Sequence, residues 1–300
     1  MTTNRAPIPI CDYEGSDYQE RFWEEVDRAY EDQAEALAIK RLLPERGERL
    51  LEVGAGAGRN TPRYRGYRQI VLLDYSRSQL EKARSRLGSD ASHLYVAADV
   101  YHLPFAPSAF DAATMIRTLH HMLEPDVALA AVRETLAPGA LFVLEFANKR
   151  NLKAILRWLV RRQDWNPFKL GPVEFAAMNF NFHPRAARRW LTMADFAIGR
   201  QLAVSYFRLP AIKKVLPHRL VMAAEGLVQW SGAVVQVSPS VFVQARALGE
   251  RRQPLAENLW RCPACRSLAM RERSRAVVCG GCRRSWRLQD GIYDFRLERE

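Results

Sequence analysis

The 300-residue sequence predicts an α/β fold, a doubly wound and mainly parallel sheet followed by a small cysteine-bearing module. Three observations carry that prediction. From about residue 49, short apolar runs alternate with amphipathic stretches, the order expected of strands linked by helices. Runs such as Ile70–Leu73 are apolar throughout, as strands buried on both faces require. One run leads directly into Gly54-Ala55-Gly56-Ala57-Gly58, a glycine-rich turn of the kind that opens a ligand crevice at a strand end. With 48% hydrophobic and 26% charged residues, the composition is globular and excludes a largely disordered or fibrous chain.

The elements follow in order. A helical region, Tyr18–Leu43, stops at Pro44. Strand-like runs are Arg49–Val53, Gln69–Asp74, His93–Asp99, Phe110–Ile116 and Ala140–Phe146. Helical patterns fall at Arg77–Leu87 and Pro125–Leu136, the second ended by Pro138 and Gly139. In Asn151–Gln163, Leu152, Ile155, Leu156, Leu159 and Val160 share one helical face, while Lys153, Arg157 and Arg161 line another. Pro167, Gly171 and Pro172 then break the chain, before a helix near Arg185–Met193 and strands at Ala197–Arg208 and Ser240–Arg246. Leu220–Val243 carries one charge, Glu225, but Gln229, Gly232, Gln236 and Pro239 interrupt it. A spanning helix needs about 20 mostly apolar residues, so no transmembrane span is expected. The pattern divides the chain into a main domain over 1–247 with a substrate-side insert at about 148–195, a linker at 248–255, and a module at 256–300.

The formal net charge of +12 is uneven. Residues 149–219 hold 15 basic and 3 acidic side chains, and residues 251–300 hold 12 and 6, whereas residues 1–50 hold 7 and 12. Such patches suit an anionic partner: nucleic acid, a lipid surface or an acidic substrate. The first residues show no leader-type pattern, so a cytoplasmic location is expected, with peripheral contact at an anionic membrane surface open to the basic amphipathic segment.

At the glycine turn, the sixth position of a dinucleotide-binding pattern is Arg59 rather than glycine. Acids close successive strands: Glu52 precedes the turn, Asp74 ends the second strand and Asp99 the third. Three carboxylates would repel a pyrophosphate and suit a cationic adenosyl ligand. Here the sequence resembles the class I S-adenosylmethionine-dependent methyltransferases, most of all the broad group that includes the ubiquinone/menaquinone biosynthesis enzymes. The resemblance rests on Glu52 to Gly58, Leu72-Leu73-Asp74-Tyr75-Ser76, Ala98-Asp99-Val100 with Leu103-Pro104-Phe105, and Phe110-Asp111 through Leu119-His120-His121. Leu136-Ala137-Pro138-Gly139-Ala140 extends it, over roughly residues 15–246.

The resemblance implies a Rossmann-like sheet of the class I methyltransferase type and S-adenosylmethionine as methyl donor. It implies that Glu52, Gly54, Ala55, Gly56 and Gly58 shape the loop past the methionyl part. Asp74, with Tyr75, would hold the ribose, Asp99 and Val100 would frame the adenine, and Arg117 would line the cleft. The alternative is that the glycines only make tight turns and the acids only cap helices. Methyl transfer needs a general base only when the acceptor must lose a proton. His120 and His121 follow the fourth strand and His183 precedes Pro184, so these three are candidates, each with a packing or capping alternative.

Acceptor choice is expected to reside in residues 148–219. The Asn151–Gln163 helix is either interfacial, with Trp158 and Trp165 at the boundary, or a lid that buries its apolar face on the core. Asn179–His183 with Trp190 is expected to form an aromatic wall over the acceptor. Near the end, Cys262-Pro263-Ala264-Cys265 and Cys279-Gly280-Gly281-Cys282 are two C-x-x-C knuckles thirteen residues apart, a spacing that suits zinc held by four thiolates. Cys11 stands apart. The tail resembles the small zinc-ribbon modules of methyltransferases and their activator proteins through its CPxC start and Asp290–Phe295 ending. Its arginines at 271, 273, 275, 283, 284 and 287 could track phosphates and Trp286 could stack on a base. Three functions are therefore open: a methyltransferase for a small or lipid-soluble acceptor, an RNA methyltransferase, or a non-catalytic cofactor-binding partner subunit.

Overall fold

The protein is described by a computed structural model covering residues 8–12, 14–15, 28–208, 215–249 and 255–297. The parallel core consists of β1 (Gly47–Val53), β2 (Tyr67–Asp74), β3 (His93–Ala97), β4 (Phe110–Met115) and β5 (Leu136–Ala147), in the order β3-β2-β1-β4-β5. Two antiparallel strands, β9 (Ser240–Ala247) and then β8 (Phe196–Val204), continue the sheet beyond β5. Strand order reverses between β1 and β4, and the glycine loop leaves β1 at that point, where open α/β sheets place their ligands.

Helices cover both faces. On one side α1 (Ala29–Leu42), α2 (Arg77–Leu87) and α6 (His218–Val228) bury Ala34, Ala38, Leu80 and Val221 against Leu50, Leu72 and Phe242. On the other, α3 (Pro125–Thr135) and α5 (Pro184–Met193) bury Leu129, Val132 and Leu191 against Phe142, Leu144 and Phe196. The α2 boundaries follow from local chemistry: the Ser76 hydroxyl accepts from the Gln79 amide, and Gly88 ends the helix at φ 92°. The N-terminal helix expected over Tyr18–Leu43 is seen as α1; Tyr18–Asp27 lie outside the described residues. No helix among the described residues is long and apolar enough to cross a membrane.

The cysteine-bearing tail continues the central sheet. Its strands β10 (Met270–Arg273), β11 (Ala276–Cys279), β12 (Ser285–Gln289) and β13 (Ile292–Asp294) form an antiparallel meander. The last of them then pairs in parallel with β3, matching Ile292 to Tyr95 and Asp294 to Ala97, which gives one sheet of eleven strands. An edge strand with free amides and carbonyls is thereby covered. Trp260 is buried between Phe105, Tyr293 and Phe295, with ring centroids 4.8–6.0 Å away, so tail and main domain share a core.

In the insert, the lid reading of the helix and the aromatic wall both need correction, whereas an outward apolar face agrees with the interfacial alternative. The helix α4 (Leu152–Leu159) forms, capped by Asn151, but it buries only Ala154; Leu152, Leu156, Leu159 and Val160 face outward rather than onto the core. The aromatic wall is core instead: Phe180 and Phe182 stack, Phe182 meets the edge of Trp190 at 5.2 Å, and both phenylalanines are buried. A hairpin of β6 (Val173–Ala176) and β7 (Asn179–Asn181) brings Phe180 there.

Candidate active site

The glycine loop is fixed by the strands it joins. The Gly54 and Ala55 amides both donate to the Leu73 carbonyl at the end of β2, at 2.8 and 2.9 Å. Gly54 has φ 69°, and a Cβ there would lie 2.2 Å from the Thr118 hydroxyl oxygen. At Gly56, φ is 52° and a Cβ would meet nothing within 4 Å, so the backbone faces open cleft. The Asp74 carboxylate accepts from the Gly56 amide at 2.8 Å and from the Ser76 amide at 3.0 Å, tying the loop to β2.

One cleft brings together Glu52, Gly54, Ala55, Gly56, Asp74, Tyr75, Val100 and Arg117. Two expected residues lie outside its wall. Gly58 packs toward Leu87 and Ala83 of α2. Asp99 caps a short 3-10 turn, accepting from the Tyr101 amide at 2.9 Å, with its other oxygen 3.1 Å from His102 Nδ1. Arg59, Asn60, Thr118 and Met122 also line the wall, with Ile10 and Cys11 across it, without having been expected there. Only Arg59 left a signal, as the residue standing in place of glycine.

One side of the cleft is acidic. Burial pushes the Glu52 carboxyl up to about 7, despite the Thr61 hydroxyl that donates to it at 2.6 Å and the nearby Arg59 and Arg63. Burial likewise lifts Asp74 to about 6, against the amides that donate to it. A positive ligand between them would favour both charged forms. Opposite stand Arg59 and Arg117, joined through Glu35 of α1, which is fully buried and accepts at 2.6 and 2.7 Å. Burial pushes Glu35 up, but the two guanidinium groups outweigh it and hold the carboxyl at about 2. Arg117 adopts φ 55°, a left-handed conformation uncommon for a non-glycine residue, and its amide donates to Glu145 at 2.8 Å.

The three histidines separate. His121 lines the cleft, and its Nδ1 lies 3.2 Å from the Met178 carbonyl in the β6–β7 turn. That carbonyl can only accept, so the proton sits on Nδ1 and Nε2 carries the lone pair. The His120 ring lies tilted against it, with centroids 4.0 Å apart, and is buried behind the wall; burial, His121 and Arg117 push its pKa well down. His183 caps α5, accepting from the Arg185 amide at 3.1 Å, and burial with four surrounding cations lowers it to about 4.

In the tail, the sulfur atoms of Cys262, Cys265, Cys279 and Cys282 all lie within 4.8 Å of one another. The pairs Cys262–Cys282 and Cys265–Cys279 are 3.7 and 3.5 Å apart. A tetrahedral zinc site with bonds of about 2.3 Å puts its sulfurs about 3.8 Å apart, so the four thiols fit that ion. Trp286, which could have stacked on a base, is instead buried against Phe295, with ring centroids 5.6 Å apart.

Sheet order, glycine loop and cleft define the class I S-adenosylmethionine-dependent methyltransferase fold. The fold is shared with an S-adenosylmethionine dependent methyltransferase from Mesorhizobium loti, at a TM-score of 0.52 and 22% identity over 71% of this chain and 97% of that one. Residues 51–144 match the family model described as a methyltransferase domain. Over 109 residues the chain is 38% identical to O-methyltransferase cnsE of Penicillium expansum, covering 35% of this chain and 40% of that protein. Over 113 residues it is 34% identical to the ubiquinone/menaquinone biosynthesis C-methyltransferase UbiE of Teredinibacter turnerae, covering 35% and 45%. The match thus spans less than half the length of either curated relative.

Proposed function

We propose that the chain transfers a methyl group from S-adenosylmethionine to a small or lipid-soluble acceptor. The observation that carries the reading is the pairing of two burial-raised carboxylates, Glu52 and Asp74, with an open glycine cradle at Gly56. A relative named as an O-methyltransferase and one named for C-methylation in ubiquinone/menaquinone biosynthesis support the acceptor class. The cofactor supplies an electrophilic methyl group, and displacement there depends chiefly on alignment. Glu52 and Asp74 hold the cationic and hydroxyl-bearing parts, while Arg59 and Arg117 face the anionic end. His121, kept neutral by burial and oriented by Met178, would take the proton when the acceptor must lose one. A zinc ion held by Cys262, Cys265, Cys279 and Cys282 serves structure, in a 256–300 module that follows the 1–247 methyltransferase domain and the 248–255 linker.

The test is labelling. Purified protein with methyl-labelled S-adenosylmethionine and a cell extract is expected to place label in the organic phase. Label in nuclease-sensitive material would instead select the RNA reading, and cofactor binding with no labelled fraction the partner-subunit reading. His121→Ala is expected to lower turnover about 10²- to 10⁴-fold without changing cofactor affinity. A loss below about threefold would make His121 a packing residue only.

Cofactor affinity should also depend on pH. Glu52 and Asp74 are protonated in the free protein below about 7 and 6, and a cation prefers them ionised. Binding then releases protons, and affinity rises as pH increases through this window. Calorimetric titration should show at least a tenfold gain from about pH 5.5 to 7.5, with Glu52→Gln weaker at pH 7.5 and flatter in its upper part. A flat wild-type profile would remove these carboxylates from the cation site.

A further inference from the structure

We infer that residues 152–177 form a docking surface for an anionic lipid bilayer. Helix α4 lies on the protein with its apolar stripe outward: Leu152 and Leu156 are each 52% exposed, and Leu159 and Val160 are 61% and 62% exposed. The surface continues through Phe168, Leu170 and Phe175, all exposed. Trp158 meets Phe168 edge-on at 5.6 Å, so helix and following loop form one platform. It extends on the other side to exposed Val234 and Val235, on the segment whose Val237 carbonyl accepts from the Leu152 amide at 2.8 Å.

Cations surround this apolar surface. Residues 149–178 hold seven basic and two acidic side chains, and Lys153, Arg157, Arg161, Arg162 and Lys169 are exposed among the apolar groups. Lys153, Arg157 and Arg162 also line a groove with Trp165 and a single acid, Asp164, a net positive place for an anionic headgroup beside the stripe. Apolar side chains among lysines and arginines are the pattern of a helix lying in a membrane interface. Nucleic acid would use the cations but leave the leucines in water, since its outer surface is phosphate. A second copy docked by two-fold symmetry would bring like charges together.

The platform is connected to the cleft. Its hairpin, β6–β7, carries Met178, whose carbonyl orients His121 in the cleft wall. A bilayer on this face could therefore deliver a lipid-soluble acceptor to the methyl-transfer site. That extension rests on the preceding functional reading, whereas the docking itself does not.

Sedimentation with vesicles, without cofactor or acceptor, separates the two. The full metal-loaded protein is expected to bind phosphatidylcholine vesicles containing about 30% phosphatidylglycerol at least tenfold more tightly than phosphatidylcholine alone, since each nearby cation contributes roughly fivefold. Leu156→Glu with Leu159→Glu should lose at least tenfold, and so should Arg157→Glu with Arg161→Glu. Both double variants alter exposed positions and should keep the wild-type cofactor affinity. Equal binding to the two vesicle types, no binding to either, or wild-type binding by both variants would overturn the inference. So would salt-sensitive RNA binding that the Leu156/Leu159 variant retains, with no vesicle binding by the wild type.

Discussion

Removal of the metal, by chelation or by Cys279→Ser, is expected to destabilise the whole sheet rather than the tail alone. A module this small has little core of its own, and a structural zinc contributes about 10–16 kcal/mol of folding free energy in comparable peptides. A zinc ion on these four cysteines would help hold β13 against β3, where the Phe295 amide also donates to the Ala97 carbonyl at 2.8 Å. Trp260 would lose its enclosure by Tyr293 and Phe295, and a buried tryptophan is worth about 3–5 kcal/mol. The effect should reach the cofactor cleft. Arg296 lies over the Tyr75 ring at 5.8 Å and 3.8 Å from Glu14, while Arg77 pairs with Asp290 at 2.9 Å. Scanning calorimetry should show the main transition falling by more than about 10 °C, because about 1 kcal/mol shifts a domain of this size by 2–4 °C. Cofactor affinity should fall at least tenfold and return when zinc is restored. A separate early transition from the tail, with the main transition and affinity unchanged, would show that the ribbon is merely appended.

The sequence made the central sheet legible because its strands are continuous apolar runs, and α2 legible because Ser76 and Gly88 mark its ends. The cleft was readable where backbone chemistry demanded a residue type, at Gly54 and Gly56, and where an acid ended a strand, at Asp74. Periodicity gave α4 an apolar face but could not name what that face meets; the face turned outward. Hairpin β6–β7 escaped because its turn uses Met178 at φ 55° rather than a glycine or Asn-Gly signal. The junction of β13 with β3 was equally hidden, since three residues, Ile292 to Asp294, carry no partner information. Asp99 shows why a strand-end acid is ambiguous: the same carboxylate that could meet a ligand satisfies two neighbours within its own turn.

Glu35 is the largest omission of the sequence reading, because an acid in an amphipathic helix ordinarily faces water. It is fully buried and joins Arg59, on the glycine loop, to Arg117, past β4. Glu35→Ala would leave two guanidinium groups in the cleft wall without the carboxylate between them. Breaking a buried pair in this way costs about 3–5 kcal/mol, more than the pair contributes relative to an apolar replacement. The added positive field would also oppose a cationic cofactor, so affinity should fall together with stability. The pH dependence has a defined sign. With a carboxyl held at about 2 against an ordinary 4.5, the stabilisation is complete above about pH 4.5 and lost as pH falls toward 2. Urea unfolding should therefore show the full difference between wild type and Glu35→Ala at pH 7 and a shrinking one below about pH 4, with Glu35→Gln between them. A loss under about 1 kcal/mol at pH 7, with cofactor affinity intact, would mean that water already screens these charges. In that case the cleft wall is held by the Gly54–Leu73 and Asp74–Gly56 hydrogen bonds, with Arg59 still paired to Asp32.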